Sequence, residues 1–282
     1  MTACVNRTLC SLFDILELLY FHVNPRQVVP VAQSNDKDRS STLAKGLAVL
    51  ECFNADNQGL NISDVAKLCG LDRAVARRLL LTFVDLGYLE QNERTFRMTP
   101  KVMAIAGGFL QSRQYGTLVQ PILETYAKDL GTSVSLAVMD NKSALYVAKA
   151  NADPTRITFG FTVGSRLPLY CTAIGRALLS LLPDARLETV LRDTNFHKIT
   201  QHTQVAPGEI LQEVETTREL GHAVTDGEFE IGVIGCAIPL QTQSNGQFAI
   251  GTSFVEDSIG YARINETIRQ LSDCARTLGK VL

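Results

Sequence analysis

A predicted helix from Arg73 to about Asp85 carries basic side chains on one face, where they could read DNA. On a helical wheel, with about 100° between residues, that face holds Arg73, Ala74, Arg77 and Arg78. The other face is apolar and contains Val75, Ala76, Leu79, Leu80, Phe83 and Leu86. Arginine binds guanine or phosphate, and alanine leaves room for a thymine methyl group in a major groove. The alternative is that these arginines only form a solvated surface.

Two shorter helices and a hairpin are predicted around this arginine helix. Ser41 or Thr42 can cap the first helix, and Ser63 can cap the second, which Gly70 ends. A predicted hairpin then follows and carries Arg94. This order is typical of a winged helix-turn-helix, which favours DNA recognition over a solvated surface.

A second candidate site lies at the start of a predicted helix from Thr172 to Leu182. Thr172 ends an extended run and can cap the helix. The free N–H groups of Ala173 and Ile174, together with the helix dipole, would then form a small anion site. Arg156 and Arg166 lie nearby in sequence and could add positive charge. The pattern fits a pocket for a small organic acid, and it fits equally an ordinary capped helix with surface arginines.

Patterns that would indicate an enzyme or a metal site are weak. Cys171, His222 and Asp226 could form a nucleophile, a base and an orienting group, but nothing in the sequence places them together. Asp226, Glu228 and Glu230 alternate and could bind a hard cation, although a solvated strand edge or loop explains them better. The sequence contains no CxxC, Walker A, GxSxG or Rossmann motif. We therefore predict no catalytic residue, no metal and no cofactor.

Composition bounds the possible classes of protein. The chain has 282 residues, 45% hydrophobic and 20% charged, which is typical of globular proteins with two domains. The sequence contains no uncharged apolar run long enough to span a membrane. Its most apolar early stretch, from Leu9 to Val23, carries Asp14 and Glu17 and therefore does not resemble a signal peptide. Seven scattered cysteines favour a reducing cytoplasm. The net charge is −2, so DNA would have to bind a local basic patch.

Four segments are predicted along the chain. Residues 1–40 form an extension that is either poorly ordered or an arm on a partner subunit, and residues 41–98 form the winged helix-turn-helix. Residues 99–116 form a linker helix whose apolar stripe suggests a dimer contact, namely Val102, Ile105, Ala106 and Phe109. Residues 117–282 alternate helices with strands joined by hairpins. They predict an α+β domain with an antiparallel sheet and flanking helices.

Five short motifs occur in a fixed order from residue 40 onward. The first three are Leu43-Ala-Lys-Gly-Leu-Ala-Val-Leu-Glu51, Gly70-Leu-Asp-Arg-Ala-Val-Ala-Arg-Arg-Leu-Leu80 and Gly87-Tyr-Leu89. The others are Cys171-Thr-Ala-Ile-Gly-Arg-Ala-Leu-Leu179, and Leu220-Gly-His-Ala followed by Glu228 and Gly232-Val. In this order they resemble the IclR family of bacterial transcriptional regulators. The runs 72–78 and 166–172 are similar to the branch that controls aromatic-acid catabolism through protocatechuate, 4-hydroxybenzoate and β-ketoadipate.

The resemblance implies a winged helix-turn-helix, a linker helix, a GAF-like effector domain, and homodimers or tetramers on double-stranded promoter DNA. It maps effector contacts onto Ala173, Ile174, Thr225, Gly235, Thr252 and Phe254. Members that bind very small acids have Asp and Cys at the positions of Thr225 and Gly235, and serines at the last two. The residues here remove polar groups and leave more room, which argues against a two- or three-carbon acid and is compatible with an aromatic one.

The expected function is therefore that of a cytoplasmic, DNA-binding regulator without catalytic activity that controls aromatic-acid catabolism genes. Two alternatives stay open at this point. A regulator of the same family could sense a non-aromatic acid, or a small-molecule enzyme could carry an accessory helix-turn-helix.

Overall fold

The computed structural model describes residues 40–54, 57–112, 114–153, 161–242, 246–255 and 260–282. The expectations for residues 1–39 and for Arg156 lie outside these ranges. The chain divides into two compact units, one ending at Phe109 and the other beginning at Leu110. Within the described ranges, no helix is both long enough and apolar enough to cross a membrane.

The first unit has the element order of a winged helix-turn-helix, as the sequence predicts. Its elements are α1 (Ser41–Glu51), α2 (Ile62–Cys69), α3 (Arg73–Asp85), β1 (Leu89–Asn92) and β2 (Thr95–Met98). The two strands pair antiparallel, with Leu89 opposite Met98. Gly70 ends α2 with φ +64°, a left-handed conformation that favours glycine and allows the tight turn into α3.

The helix caps differ by one or two residues from the predicted ones. The Oγ atom of Ser40 accepts a hydrogen bond from the Leu43 N–H group, so Ser40 caps α1 instead of Ser41 or Thr42. Asn61, not Ser63, caps α2. The side chain of Asn61 accepts a hydrogen bond from the backbone N–H group of Asp64, and the carboxylate of Asp64 accepts one from the backbone N–H group of Asn61. This reciprocal capping box satisfies more N–H groups than a lone serine could.

The apolar face of α3 packs into the core of the first unit. Ala76 and Leu80 are fully buried there, and Leu81 is half-buried against the same core. Leu86 was expected in this core but is 51% exposed, because it lies beyond the end of the helix, at its C-cap. The wheel therefore predicts the buried face of α3 except at Leu81, which it places on the outer face, and at the last turn.

A helix, α4 (Val102–Ser112), runs across the division between the two units. None of the residues of α4 is buried, and Met103, Ile105 and Phe109 are exposed hydrophobic side chains. A short π-helical turn, Tyr115–Val119, then leads into the second unit.

The second unit is a six-stranded antiparallel sheet with helices on both faces, which confirms the α+β prediction. Its helices are α5 (Gln120–Leu130), α6 (Ala173–Ser180), α7 (Asp184–Arg192), α8 (Pro207–Leu220) and α9 (Gly260–Leu278). Its strands are β3 (Val134–Asp140), β4 (Ser143–Ala150), β5 (Arg166–Pro168), β6 (Ala223–Asp226), β7 (Val233–Gln241) and β8 (Gln247–Val255). The strand order is β5-β4-β3-β8-β7-β6.

The sheet separates two hydrophobic cores, because alternate strand residues point to opposite faces. The α9 core lies on the face covered by α5 and α9 and contains Leu123, Ile234, Ile250 and Leu271. The α6 core lies on the face covered by α6, α7 and α8 and contains Ala137, Leu178, Leu187, Val214 and Ala237. Any strand residue near α6 therefore belongs to one set of alternating positions.

Candidate functional site

The basic face of α3 lies on the surface of the first unit. The described structure leaves Arg73, Ala74, Arg77 and Arg78 exposed, opposite the buried Ala76 and Leu80. Arg94 is also exposed, in the turn between β1 and β2. None of these arginines forms an ion pair with another described residue. Their guanidinium groups are therefore available to an anionic partner.

The start of α6 is fixed by two features. The Oγ1 atom of Thr172 accepts a hydrogen bond from the Gly175 N–H group at 3.1 Å and donates to the Pro168 carbonyl at 2.7 Å. Gly175 allows close backbone approach, because a Cβ atom there would lie 2.3 Å from the carbonyl oxygen of Leu169. The predicted cap is confirmed, and its hydroxyl group is already committed to the protein backbone.

Four residues named from the sequence meet beside the first turn of α6. The N–H groups of Ala173 and Ile174 lie in that turn, where no carbonyl of the helix can accept from them. Thr225 pairs with Gly235 across β6 and β7. A Cβ atom on Gly235 would lie 2.8 Å from Thr225 Oγ1 and 3.9 Å from the nitrogen of Ala173. Gly235 thus allows β7 to lie in close contact with the Thr225 hydroxyl group and with the positive end of α6, where even a methyl group would be crowded.

Thr252 and Phe254 lie on the other face of the sheet, so their predicted place at this site is wrong. Thr252 donates to the Ser133 carbonyl at 2.7 Å, and Phe254 packs in the α9 core. The residues of β8 that face α6 are Gly251 and Ser253 instead. A Cβ atom on Gly251 would lie 2.6 Å from Cγ1 of Ile174, and Ser253 is paired with Gly235. A shift of one residue moves every strand side chain to the opposite face.

Arg166 is not at the start of α6. It lies in β5, where its guanidinium group donates to Asp140 Oδ2 at 2.6 and 2.9 Å. Its side chain is 49% exposed. Arg166 was predicted as an effector contact, but in the structure it forms a surface ion pair with Asp140.

A partly buried lysine on the α6 side of the sheet was missed in the sequence. Lys149 lies in β4, and its Nζ atom donates to the carbonyl of Phe161 at 2.7 Å. Burial lowers the pKa of Lys149. The rings of Tyr146, Phe161 and Phe229 pack edge to face nearby, with centroids 6.3 and 5.5 Å apart. Only the paired strands bring these groups together, so no local motif signals them.

A buried ion pair lies one turn further along α6. The Nη2 atom of Arg176 donates to Glu228 Oε2 at 2.7 Å and to Gln204 Oε1 at 3.1 Å. Its Nε atom donates to the Tyr170 carbonyl. Burial raises the pKa of Glu228, against the opposing effect of the Arg176 guanidinium group. Glu228 is therefore an internal structural carboxylate. The prediction that it belongs to a solvated strand edge or loop is wrong.

The residues considered for nucleophilic catalysis do not form an arrangement that activates a thiol. Cys171 is fully buried, and this burial raises its pKa to about 12. The Nδ1 atom of His222 lies 3.1 Å from the carbonyl oxygen of Leu220. Asp226 is exposed at the end of β6. The thiol is thus held in its neutral form.

Both units match family models. Residues 108–280 match the bacterial transcriptional regulator IclR C-terminal domain, and residues 42–93 match the IclR helix-turn-helix domain. The Pca regulon regulatory protein of Pseudomonas putida is 30% identical over 213 residues, which are 76% of this chain and 73% of the relative. The p-hydroxybenzoate hydroxylase transcriptional activator of Acinetobacter baylyi is 31% identical over 209 residues, 72% and 77% of the two chains.

A solved structure shares the fold. It is that of an IclR homolog from Microbacterium hydrocarbonoxydans complexed with 4-hydroxybenzoate. The two align with a TM-score of 0.70 and 21% identity, over 86% of this chain and 98% of the other. The similarity at this level of identity concerns the architecture.

Proposed function

Because the chain belongs to the IclR family of bacterial transcriptional regulators, we propose that it controls aromatic-acid catabolism genes in response to a small aromatic acid. The family assignment makes it a DNA-binding regulator and not an enzyme. One relative is named for the p-hydroxybenzoate hydroxylase that it activates, and one solved homolog binds 4-hydroxybenzoate. These likenesses support an aromatic effector here.

The proposed contact with promoter DNA is made by α3. Its exposed face would enter the major groove, where Arg73, Arg77 and Arg78 can reach base edges or phosphates. Ala74 would leave room for a thymine methyl group, and Arg94 at the hairpin turn would contact the backbone. Among the described residues, no carboxylate forms an ion pair with these arginines, which supports this role because none of those groups would compete with the phosphates.

The proposed dimer contact is the apolar stripe of α4. Phe109 is 44% exposed, and Ile105 on the same stripe is 62% exposed. An isolated helix that contains Gly107 and Gly108 is marginal in water, so packing against a second copy would stabilise it. We therefore propose that the regulator acts as a homodimer or as a dimer of dimers.

Phe109→Glu should shift the protein toward monomers and abolish operator binding, because it places a charge in the apolar contact. Sedimentation velocity and gel shifts measure these two effects. Gln111→Glu is the matched control, since it adds the same charge on the opposite side of α4. An unchanged sedimentation profile for Phe109→Glu would contradict the dimer contact.

The effector carboxylate is proposed to bind at the start of α6. The observation that carries this proposal is the capped first turn of α6, whose Ala173 and Ile174 N–H groups have no acceptor within the helix and lie beside Thr225 and Gly235. A carboxylate there can accept from the N–H groups of Ala173 and Ile174 and interact with the helix dipole. Such contacts are needed because burial of an unpaired carboxylate costs several kcal/mol. Arg156 stays a proposed additional contact from the sequence.

Gly235→Ala should reduce the affinity for the aromatic acid by about tenfold, because its methyl group would lie 2.8 Å from Thr225 Oγ1 and would displace the groups beside the first turn of α6. Calorimetry with 4-hydroxybenzoate, protocatechuate and their amides measures the effect, and an acid that binds should also raise the melting temperature. Gly208→Ala is the control, because a Cβ atom there meets nothing within 4 Å. Equal affinity of the parent protein for acid and amide would refute the carboxylate site.

A further inference from the structure

Two buried cysteines of the first unit are in direct contact. Cys52 lies at the C-cap of α1 and Cys69 is the last residue of α2, and their Sγ atoms are 3.0 Å apart. Both Sγ atoms also donate to the carbonyl oxygen of Ala48, at 3.3 and 3.6 Å. A disulfide bond is about 2.05 Å long, so a relative shift of about 1 Å would join the two sulfur atoms. The proposed contacts with DNA and effector use neither thiol.

The two thiols differ from the other cysteines that the structure describes. Cys171, Cys236 and Cys274 are 0% exposed, and burial raises the pKa of each thiol to about 12. Cys52 and Cys69 are 8% and 3% exposed. Their mutual hydrogen bond lowers the pKa of Cys69 and raises that of Cys52, because a thiolate on Cys69 accepts from the Cys52 thiol. Since the thiolate is the nucleophilic form, Cys69 is the residue that reacts first with an electrophile.

The pair lies just beneath the surface of the first unit. Glu51 precedes Cys52 and Gly70 follows Cys69, and both of these neighbours are exposed. Helix ends open locally more readily than helix centres. A small neutral oxidant can therefore reach the two sulfur atoms without unfolding of the unit.

We propose that Cys52 and Cys69 are a reversible modification site, at which a peroxide converts the two thiols into a disulfide bond that weakens DNA binding. The Cys69 thiolate attacks one oxygen of hydrogen peroxide, the O–O bond breaks, and the departing hydroxide takes up the proton that Cys69 released. The Cys52 sulfur then attacks the sulfur of the Cys69 sulfenic acid. The S–O bond breaks, and the second hydroxide leaves as water with the Cys52 proton. Two thiols and one peroxide thus give one disulfide and two water molecules.

The new bond would act on α3 from two sides. Cys69 is followed by Gly70, whose φ of +64° forms the tight turn into α3. On the other side α1 packs on α3, where a Cβ atom on Gly46 would lie 3.5 Å from the ring of Phe83. Oxidation draws the ends of α1 and α2 together and removes both S–H donors from the Ala48 carbonyl.

A shift of about 1 Å is large for a helix that reads bases, since hydrogen bonds occupy a donor–acceptor range of roughly 0.5 Å. The disulfide should therefore impair the fit of α3 to its operator. This consequence rests on the proposed contact of α3 with DNA, whereas formation of the bond does not.

Peptide mapping of the full-length protein tests the bond without DNA. After treatment with hydrogen peroxide and alkylation of free thiols, trypsin should release residues 46–67 joined to residues 68–73, because it cuts after Lys45, Lys67 and Arg73. Cys274→Ala, which removes a fully buried thiol, should give the same linked peptides, and Cys52→Ser should give none. Absence of the linked peptides from the oxidised parent protein overturns the inference.

Gel shifts with the DNA upstream of the protein's own gene test the consequence. Oxidation should lower the operator affinity of the parent protein at least about fivefold, the effect of losing one base contact, and dithiothreitol should restore it. Cys52→Ser should bind as the reduced parent does and keep this affinity in peroxide, whereas Cys274→Ala should respond as the parent does.

Two results of the gel shifts would contradict the inference. One is an unchanged affinity of the cross-linked parent protein, and the other is an equal loss of affinity in oxidised Cys52→Ser, which would indicate oxidation at another site. Reversal by dithiothreitol is measured on the parent protein, so this test does not depend on folding of Cys52→Ser. Failure of the reduced parent protein to bind operator DNA would count against the proposed function instead, and the peptide map would still decide whether the bond forms.

Discussion

Glu228→Ala should lower the free energy of unfolding by about 3–5 kcal/mol, because it leaves the buried Arg176 guanidinium group without its charged partner. The side chains of Arg176 and Glu228 are 2% and 7% exposed, and their N···O distance is 2.7 Å. Water cannot readily replace the lost carboxylate at such a site. Urea unfolding followed by circular dichroism measures the change, and the slope of the transition shows whether the compactness of the folded state is preserved.

Glu213→Ala is the matched control for this prediction. The carboxylate of Glu213 is also near Arg176, at 3.6 Å, but its side chain is 39% exposed. Removal of this partly solvated partner should cost less than about 1 kcal/mol. Similar losses for Glu213→Ala and Glu228→Ala would contradict the distinction between an internal pair and a solvated one.

The double variant Arg77→Ala and Arg78→Ala should weaken operator binding by at least about thirtyfold. Each arginine that contacts a base contributes about 1–3 kcal/mol, and the two losses add if the contacts are independent. Both side chains are exposed on α3 and carry no internal ion pair within the described structure. Gel shifts with the DNA upstream of the protein's own gene, at fixed salt concentration, measure the effect.

The control for DNA binding is a second double variant, Arg186→Ala and Arg192→Ala, which removes two exposed arginines from α7. It changes the net charge equally but should leave operator binding nearly unchanged. The salt dependence separates the two kinds of contact, because loss of a phosphate contact lowers the salt slope whereas loss of a base contact relaxes sequence preference. Normal operator binding by the α3 variant would exclude α3 as the recognition helix.

Long periodic elements could be predicted from the sequence because their burial follows a repeating pattern. The bounds of α3 coincide with the predicted ones, and residues 117–282 contain the predicted strands joined by hairpins. The short elements β5, β6 and α7 were missed. Three or four residues give too few repeats to reveal a strand. Helix α7 begins directly after Pro183, one residue beyond the end of the helix that was predicted from Thr172 to Leu182.

The candidate site was predictable where it depends on local backbone and not where it depends on pairing between strands. A cap residue and a glycine identify the start of α6, because both act within a few residues of one another. The placement of Thr252 and Phe254 failed because the registration of β8 against its neighbours decides which face a residue occupies. Lys149 was missed for the same reason: its burial results from contacts with distant segments.

The alternation along β8 has a consequence for engineering this chain as a biosensor. A saturation library restricted to positions 251 and 253 would sample the face near α6, which carries the proposed effector site. A library at positions 250, 252 and 254 would sample the α9 core, on the opposite face from that proposed site, so we expect it mainly to yield variants with altered heat tolerance. The five positions 250–254 thus divide into two sets with different expected effects. A screen that randomises all five would not separate changes in effector recognition from changes in stability.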